Sequence, residues 1–206
     1  MKKYSLFFFV ILSFSLIAQE DTYQSRIVKK QRRIADFTTA IRLDPNDASA
    51  YFNRGLLYYE LRDRKSAIAD YTTAIRLSPN WFTIYYKRGI AYAYLGEYIS
   101  AISDFTAAII LNSEEAEMEE EAVFVRNLNW IKASICIARG NAYIELGEYN
   151  AAIADFTTAI RLNPYDTKSA LHNRGRAKEK AGLPYCSDYK RACELGKCDL
   201  YDRKCR

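Results

Sequence analysis

The sequence predicts an all-α fold: an α-solenoid of stacked antiparallel helix hairpins, ending in a cysteine-rich C-terminal helical hairpin. Three observations predict it. The stretch AIADYTTAIRLSP from Ala67 to Pro79 recurs as close copies beginning at Ile34, Ala101 and Ala152. The copies keep a fixed period: Phe37, Tyr71 and Phe105 are 34 residues apart, and the step to Phe156 is 51, one period plus a 17-residue insertion. A period of this length marks a chain built from one repeated unit that buries its apolar face only by stacking on its neighbours. Within each unit the apolar residues step by three and four, the spacing of one helical face.

With 206 residues, half of them apolar, the chain is long enough for a continuous core. Its first 19 residues differ in kind: Lys2 and Lys3, an uncharged run from Tyr4 to Ala18, then Gln19, Glu20 and Asp21. That is the layout of a cleaved signal peptide, and the run is shorter than the roughly 20 residues needed to span a bilayer as a helix. The expectation is an exported protein, periplasmic, in the cell envelope or secreted, with a membrane attachment only if this segment is retained. Without residues 1–19 the chain carries 28 basic and 25 acidic residues, a formal +3 against +5 for the whole. So balanced a charge does not point to nucleic acid. Two patches stand out: Arg26, Lys29, Lys30, Arg32 and Arg33 near the mature N-terminus, and Glu114, Glu115, Glu117, Glu119, Glu120 and Glu121 in the insertion.

Taken in order, residues 20–46 read as a capping helix, the second half of a repeat, ended by Pro45, which cannot continue a helix. Residues 47–182 read as the array. Its first whole repeat runs from about Ala48 to Asn80 and its second from about Phe82 to Asn112, with turns near Arg62 to Lys65 and near Gly96. Tyr51, Gly55 and Tyr58 share one face of the first helix, Ala67, Tyr71 and Ala74 one face of the second, and the two stripes meet. Each glycine opposite an alanine allows close approach, so a bulky residue at Gly55, Gly89 or Gly140 is expected to cost about 1 to 3 kcal/mol. The insertion, residues 113–132, is expected to lengthen only the first helix of the third repeat, because Phe124, Leu128, Ile131 and Ile135 step by four, three and four. Asn112 with Glu115 resembles a capping box at its start, and Trp130 should stand near where the extension leaves the stack. A degenerate fourth copy begins with Asn173, Arg174 and Gly175. One further column repeats: Arg54, Arg88, Arg139 and Arg174 each precede the glycine, while Asp36, Asp70, Asp104 and Asp155 each precede the second-helix aromatic. The pattern predicts a structural ladder of Arg–Asp pairs within or between repeats.

These residues resemble the tetratricopeptide repeat family over about residues 21–182. Tyr51, Gly55, Tyr58, Ala67, Tyr71, Ala74 and Pro79 carry the resemblance, as do Tyr85, Gly89, Tyr92, Ala101, Phe105 and Ala108, and then Gly140, Tyr143, Ala152, Phe156, Ala159 and Pro164. Cys136 stands where the third copy's first aromatic would be, and Ser113 where the second copy's closing proline would be. The resemblance implies binding: the first helix of each repeat lines a concave groove that receives a peptide or helix of a partner protein. It nominates Phe52, Asn53, Leu56 and Tyr59 from the first repeat, Tyr86, Lys87, Ile90 and Tyr94 from the second, and Ile137, Asn141 and Ile144 from the third. The subfamily that clamps a C-terminal carboxylate has lysine and asparagine where this chain has Phe52 and Leu56, so that ligand is not carried over.

Residues 183–206 hold Cys186, Cys193, Cys198 and Cys205, and an exported chain so built invites disulfides. Three pairings are open in principle. If the tail is a helical hairpin turning near Gly196, facing residues have constant index sums, which gives Cys186 with Cys205 and Cys193 with Cys198. Cys186 with Cys193 would span about 10 Å along one helix, beyond disulfide reach. The spacings of seven, five and seven lack the close pairs of zinc sites, and Cys136 reads as a buried free thiol. No catalytic constellation, cofactor motif or metal-ligand motif is present, and the single histidine, His172, has no nucleophile or acid partner set by spacing. The expected function is that of an exported scaffold or adaptor for protein partners. Two other readings stay open: a self-associating envelope protein, and a non-catalytic accessory subunit of an envelope enzyme complex.

Overall fold

A computed structural model describes residues 24–118, 122–163 and 167–205, and side-chain surroundings outside 116–126. The segment read as a signal peptide, Pro164 and Glu119 to Glu121 lie outside what is described, as do the side chains of Glu117 and Phe124. Among the described residues ten helices follow one another: α1 (24–43), α2 (Ala48–Glu60), α3 (Arg64–Leu77), α4 (Phe82–Tyr94), α5 (Tyr98–Met118), α6 (Ala122–Glu145), α7 (Tyr149–Leu162), α8 (Lys168–Lys180), α9 (Cys186–Glu194) and α10 (Asp199–Lys204). Helices pair as α2/α3, α4/α5, α6/α7 and α8/α9, each second helix packs on the first helix of the next pair, and α2, α4, α6 and α8 also touch in sequence. The first helices therefore form one side of the stack. Among the described residues no helix is long and apolar enough to cross a membrane.

Local chemistry sets the boundaries. Asp47 and Asp63 cap α2 and α3 by accepting from the amides of Ala50 and Ser66. The turns inside the hairpins use left-handed backbone at Gly96, Gly147 and Gly182, whereas the first repeat places Arg62 there at φ 67°, a conformation that costs a side-chain-bearing residue about 1 kcal/mol.

Inside each hairpin a glycine sits against an aromatic ring. A Cβ added at Gly55, Gly89, Gly140 or Gly175 would lie 2.5 to 2.9 Å from the ring of Tyr71, Phe105, Phe156 or Tyr189, and all four rings are fully buried. Beside each glycine runs the Arg–Asp ladder. The guanidiniums of Arg54, Arg88, Arg139 and Arg174 donate through Nε and Nη2 to both carboxylate oxygens of Asp70, Asp104, Asp155 and Asp188, at 2.7 to 3.0 Å. The third donor, Nη1, reaches back to the hydroxyl of Thr38, Thr72, Thr106 or Thr157 in the preceding unit at 2.9 to 3.1 Å. Each arginine thus closes its own hairpin and ties it to the one before. The α1 helix takes the place of a preceding second helix, held by the Thr38 bond and by Lys30 to Glu60 at 2.9 Å. Where full repeats bury Ala67, Ala101 and Ala152 under their own first helix, α1 has exposed Arg33, so its outer side faces water without burying a charge.

Two departures from the sequence expectation have clear causes. Neither Asn112 nor Glu115 caps a helix, because α5 runs on to Met118 and the insertion is shared between α5 and α6. Proline ends the equivalent stretch after α3, but Ser113 does not stop a helix: its hydroxyl bonds back to Ile109 O (2.7 Å) and accepts from Lys132 Nζ (2.7 Å). Asn112, at the cap position that Ser78 and Asn163 hold elsewhere, is carried into the helix and buried, its amide without a partner among the described residues. Trp130, on α6, is 57% exposed. The fourth copy is also more regular than the sequence suggested. Asp188, Tyr189 and Ala192 of α9 take the parts of Asp70, Tyr71 and Ala74, but the Arg-to-Asp separation is 14 residues instead of 16. Burial opposes ionisation of Asp188, yet hydrogen bonds from Arg174 and Lys178 outweigh it and hold its carboxyl below the usual 3.8. A carboxylate with a depressed folded pKa stabilises the fold above its unfolded value, and that stability is lost as pH falls through the folded one. Asp188→Asn is therefore expected to flatten the drop in melting temperature below about pH 4 while lowering it at neutral pH; an unchanged acid slope would count against the rung.

The tail folds back as α10. Cys186 and Cys205 come within disulfide distance (Cα–Cα 5.6 Å), as do Cys193 and Cys198 (4.0 Å), in the nested pairing, so the four sulfurs pair in twos instead of converging on one point. Lys204 also bonds Glu179, which accepts from the Tyr189 hydroxyl at 2.9 Å. Cys136 is buried and free, its thiol pushed up to about 11 by burial. Alkylation without reductant should leave the native chain unlabelled at neutral pH and label one sulfur, Cys136, after unfolding. Labelling of four or more would refute the pairing.

Candidate partner-binding groove

Counting outward from each repeat glycine shows how the first helices shape the inner side of the stack. Two places before the glycine stand Asn53, Lys87, Ala138 and Asn173; one place after it Leu56, Ile90, Asn141 and Arg176; four places after it Tyr59, Ala93, Ile144 and Glu179. Large side chains fill the first repeat. At the middle of the stack Ala93 replaces the tyrosine and Ala138 the asparagine, and the missing volume opens two clefts. One, of about 340 Å³, is lined by Ile90, Ala93, Tyr94, Phe105, Ala138 and Asn141. The other, of about 210 Å³, shares Ala93, Ala138 and Asn141 and adds Tyr98, Ala142, Ile144, Glu145, Asn173 and Arg176. The shared residues make them one trough across the second, third and fourth repeats.

Of the eleven residues nominated by the resemblance, Ile90, Tyr94, Asn141 and Ile144 come together in this trough. Tyr94 is 69% exposed, whereas Ile144 reaches it from a buried position against Ala152, Phe156 and Ala177. Phe52 turns the other way: it is 8% exposed and packs on Trp81 (4.9 Å between centroids) and Tyr71 (6.0 Å). Tyr86 leans on Phe105, and Ile137 packs between the cores of the third and fourth repeats. Asn53 donates to Ser49 O at 2.8 Å, Leu56 packs on the first core, and Lys87 lies 5.7 Å over the Tyr86 ring, all outside the two clefts. Tyr59 meets Tyr94 edge-on at 5.9 Å, with the Arg64 guanidinium over both rings. Burial, and after it the Tyr94 hydroxyl, pushes the Tyr59 phenol up to about 12. The chain's own arginine thus closes the tyrosine end of the groove, leaving the trough beyond it open. Ala93, Ala138, Asn173 and Arg176 were missed by reading single helices; the signal for them is in the column comparison across repeats.

Sequence comparison agrees with this architecture. Three family models match: two described as tetratricopeptide repeat, one over residues 48–80 and 133–166 and the other over 82–115, and one described as TPR repeat over 34–61 and 65–96. The chain belongs to the tetratricopeptide repeat family. Among solved structures, that of MamA superposes with a TM-score of 0.67 at 23% identity over 78% of this chain and 85% of that one. The TPR domain of Arabidopsis OM64 is 26% identical over 64% of this chain and 94% of its own, with a TM-score of 0.53. The first TPR of Spaghetti (RPAP3), solved bound to the HSP90 peptide SRMEEVD, is 20% identical over 68% and 96%, with a TM-score of 0.55. No curated protein matches the sequence. In tetratricopeptide terms the described chain is a half repeat, four hairpins and a terminal helix, with the trough on the side lined by the first helices.

Proposed function

We propose that this chain is an exported scaffold that binds a peptide or helix of a partner protein in the trough of its second to fourth repeats. The observation that carries the reading is the trough itself: two joined clefts, created where Ala93 and Ala138 replace larger side chains and bordered by exposed Tyr94. Apolar walls with a few convergent polar groups are what a recognition site needs, and an exposed aromatic supplies contact area at small entropy cost. The peptide complex of the RPAP3 domain supports the same use of the fold. Export rests on the layout of residues 1–19 and on the cysteine pairs, which suit an oxidising compartment.

The test compares the wild-type chain with a Tyr94→Ala, Asn141→Ala variant as bait against the envelope and secreted fractions of the source cell. Phe52 is left intact because it belongs to the core. The variant is expected to recover the partner at least about tenfold less, the effect of losing about 1.4 kcal/mol or more. Equal recovery of every protein would overturn the reading. N-terminal sequencing of the exported chain checks cleavage near Gln19.

A further inference from the structure

The trough is graded along the stack. One place after each glycine the side chain runs from Leu56 through Ile90 to Asn141 and then Arg176. The larger cleft carries no charge and is walled by Ile90, Tyr94 and Phe105. The smaller ends at Arg176, the only cation among the residues lining either cleft, which makes no ion pair among the described residues. All four arginines that precede the repeat glycines are spent on their ladder aspartates, whereas Arg176, one place after Gly175, has its charge available. Between the two ends Asn173 donates to Asn141 at 3.0 Å, which fixes both amides and leaves the Asn141 nitrogen and the Asn173 oxygen for a third group. Glu145 also lines the smaller cleft, at its exposed rim, so an incoming anion is directed to the Arg176 side.

From this arrangement we infer that the occupant is an internal segment of a protein partner carrying an apolar side chain and, further along, an aspartate or glutamate side chain. The apolar group fills the space left by Ala93, and the carboxylate pairs with Arg176. The fixed Asn141–Asn173 pair bonds the backbone amide between them. No free C-terminus is required, because the groups that would hold one are not assembled at the first repeat. This inference rests on the trough being the binding site, and the experiment separates the two.

The full mature chain is used to select binders from a phage-displayed library of random twelve-residue peptides, and the best clone is made as a soluble labelled peptide. Enriched sequences are expected to pair an aliphatic or aromatic residue with an acidic one. Ala93→Tyr, which restores the residue of the first repeat, and Arg176→Glu should each weaken the peptide at least about tenfold, the effect of one lost charge-assisted bond or anchor. Reselection on Arg176→Glu should replace the acidic residue with lysine or arginine. Binding lost in Ala93→Tyr but untouched by Arg176→Glu would overturn the graded ligand and leave the trough as the site. Peptides indifferent to both variants, or a library yielding no binder, would overturn both.

Discussion

Arg139→Met is expected to lower the unfolding free energy by about 3 kcal/mol or more, at the scale known for breaking one partner out of a buried ion pair. Arg139 gives Nε and Nη2 to Asp155, both at 2.8 Å, and Nη1 to Thr106 at 2.9 Å. The Thr106 bond spans 33 residues, because the insertion lies between its ends, whereas the other three ties of this kind, Arg54 to Thr38, Arg88 to Thr72 and Arg174 to Thr157, span 16 or 17. Removing the guanidinium leaves Asp155 buried with no cation, a desolvated charge that the methionine cannot compensate. The attraction lost is smaller than the penalty left behind, so the double variant Arg139→Met, Asp155→Leu should recover most of the loss. Urea unfolding of the four proteins in this cycle reads the coupling directly. A single-variant cost below about 1 kcal/mol would make the pair an exposed surface bridge in energetic terms, contrary to its burial.

What the sequence disclosed follows from how a solenoid is built. The residues that make the packing stripe, Tyr51 with Gly55 and Ala67 with Tyr71, are the same ones that recur, so the helix pairs and the ladder could be read before any coordinates. Features that depend on a break in the pattern were harder. Asp188 and Tyr189 repeat Asp70 and Tyr71, but a connection two residues shorter between arginine and aspartate hid them behind the cysteines. The long α5 was hidden because the informative signal was a missing proline at Ser113, while Asn112 and Glu115 suggested a start that the uninterrupted backbone bonds override. The groove was the least legible part. Phe52 and Tyr94 are both aromatics on first helices, yet one turns inward to Trp81 and Tyr71 and the other outward, and helical spacing alone does not separate them. A cleft is made by absent volume, so its determinants, Ala93 and Ala138, look unremarkable until each is set beside Tyr59 and Asn53.

The same reasoning about volume gives the second large effect, at the glycine–aromatic contact that closes each hairpin. Phe156→Ala is expected to cost about 3 to 5 kcal/mol, the transfer term for a fully buried ring plus the cavity it leaves. Gly140→Met should cost about 1 to 3 kcal/mol by overpacking, since its Cβ would lie 2.9 Å from both Cε1 and Cζ of Phe156. That loss is offset in part by about 1 kcal/mol of helix propensity gained at a glycine inside α6. Combined, the two changes should be less damaging than their sum. The new Cβ points into the volume the ring vacates, and the unbranched methionine can follow it with its sulfur and methyl. A favourable coupling of about 1 kcal/mol or more is expected from the unfolding cycle, whereas Gly140→Met with Phe105→Ala, which removes a ring from a different hairpin, should be additive to within about 0.5 kcal/mol. If both combinations are additive, the ring does not lock against the glycine, and the close approach of α6 to α7 must be set by the Arg139–Asp155 rung alone.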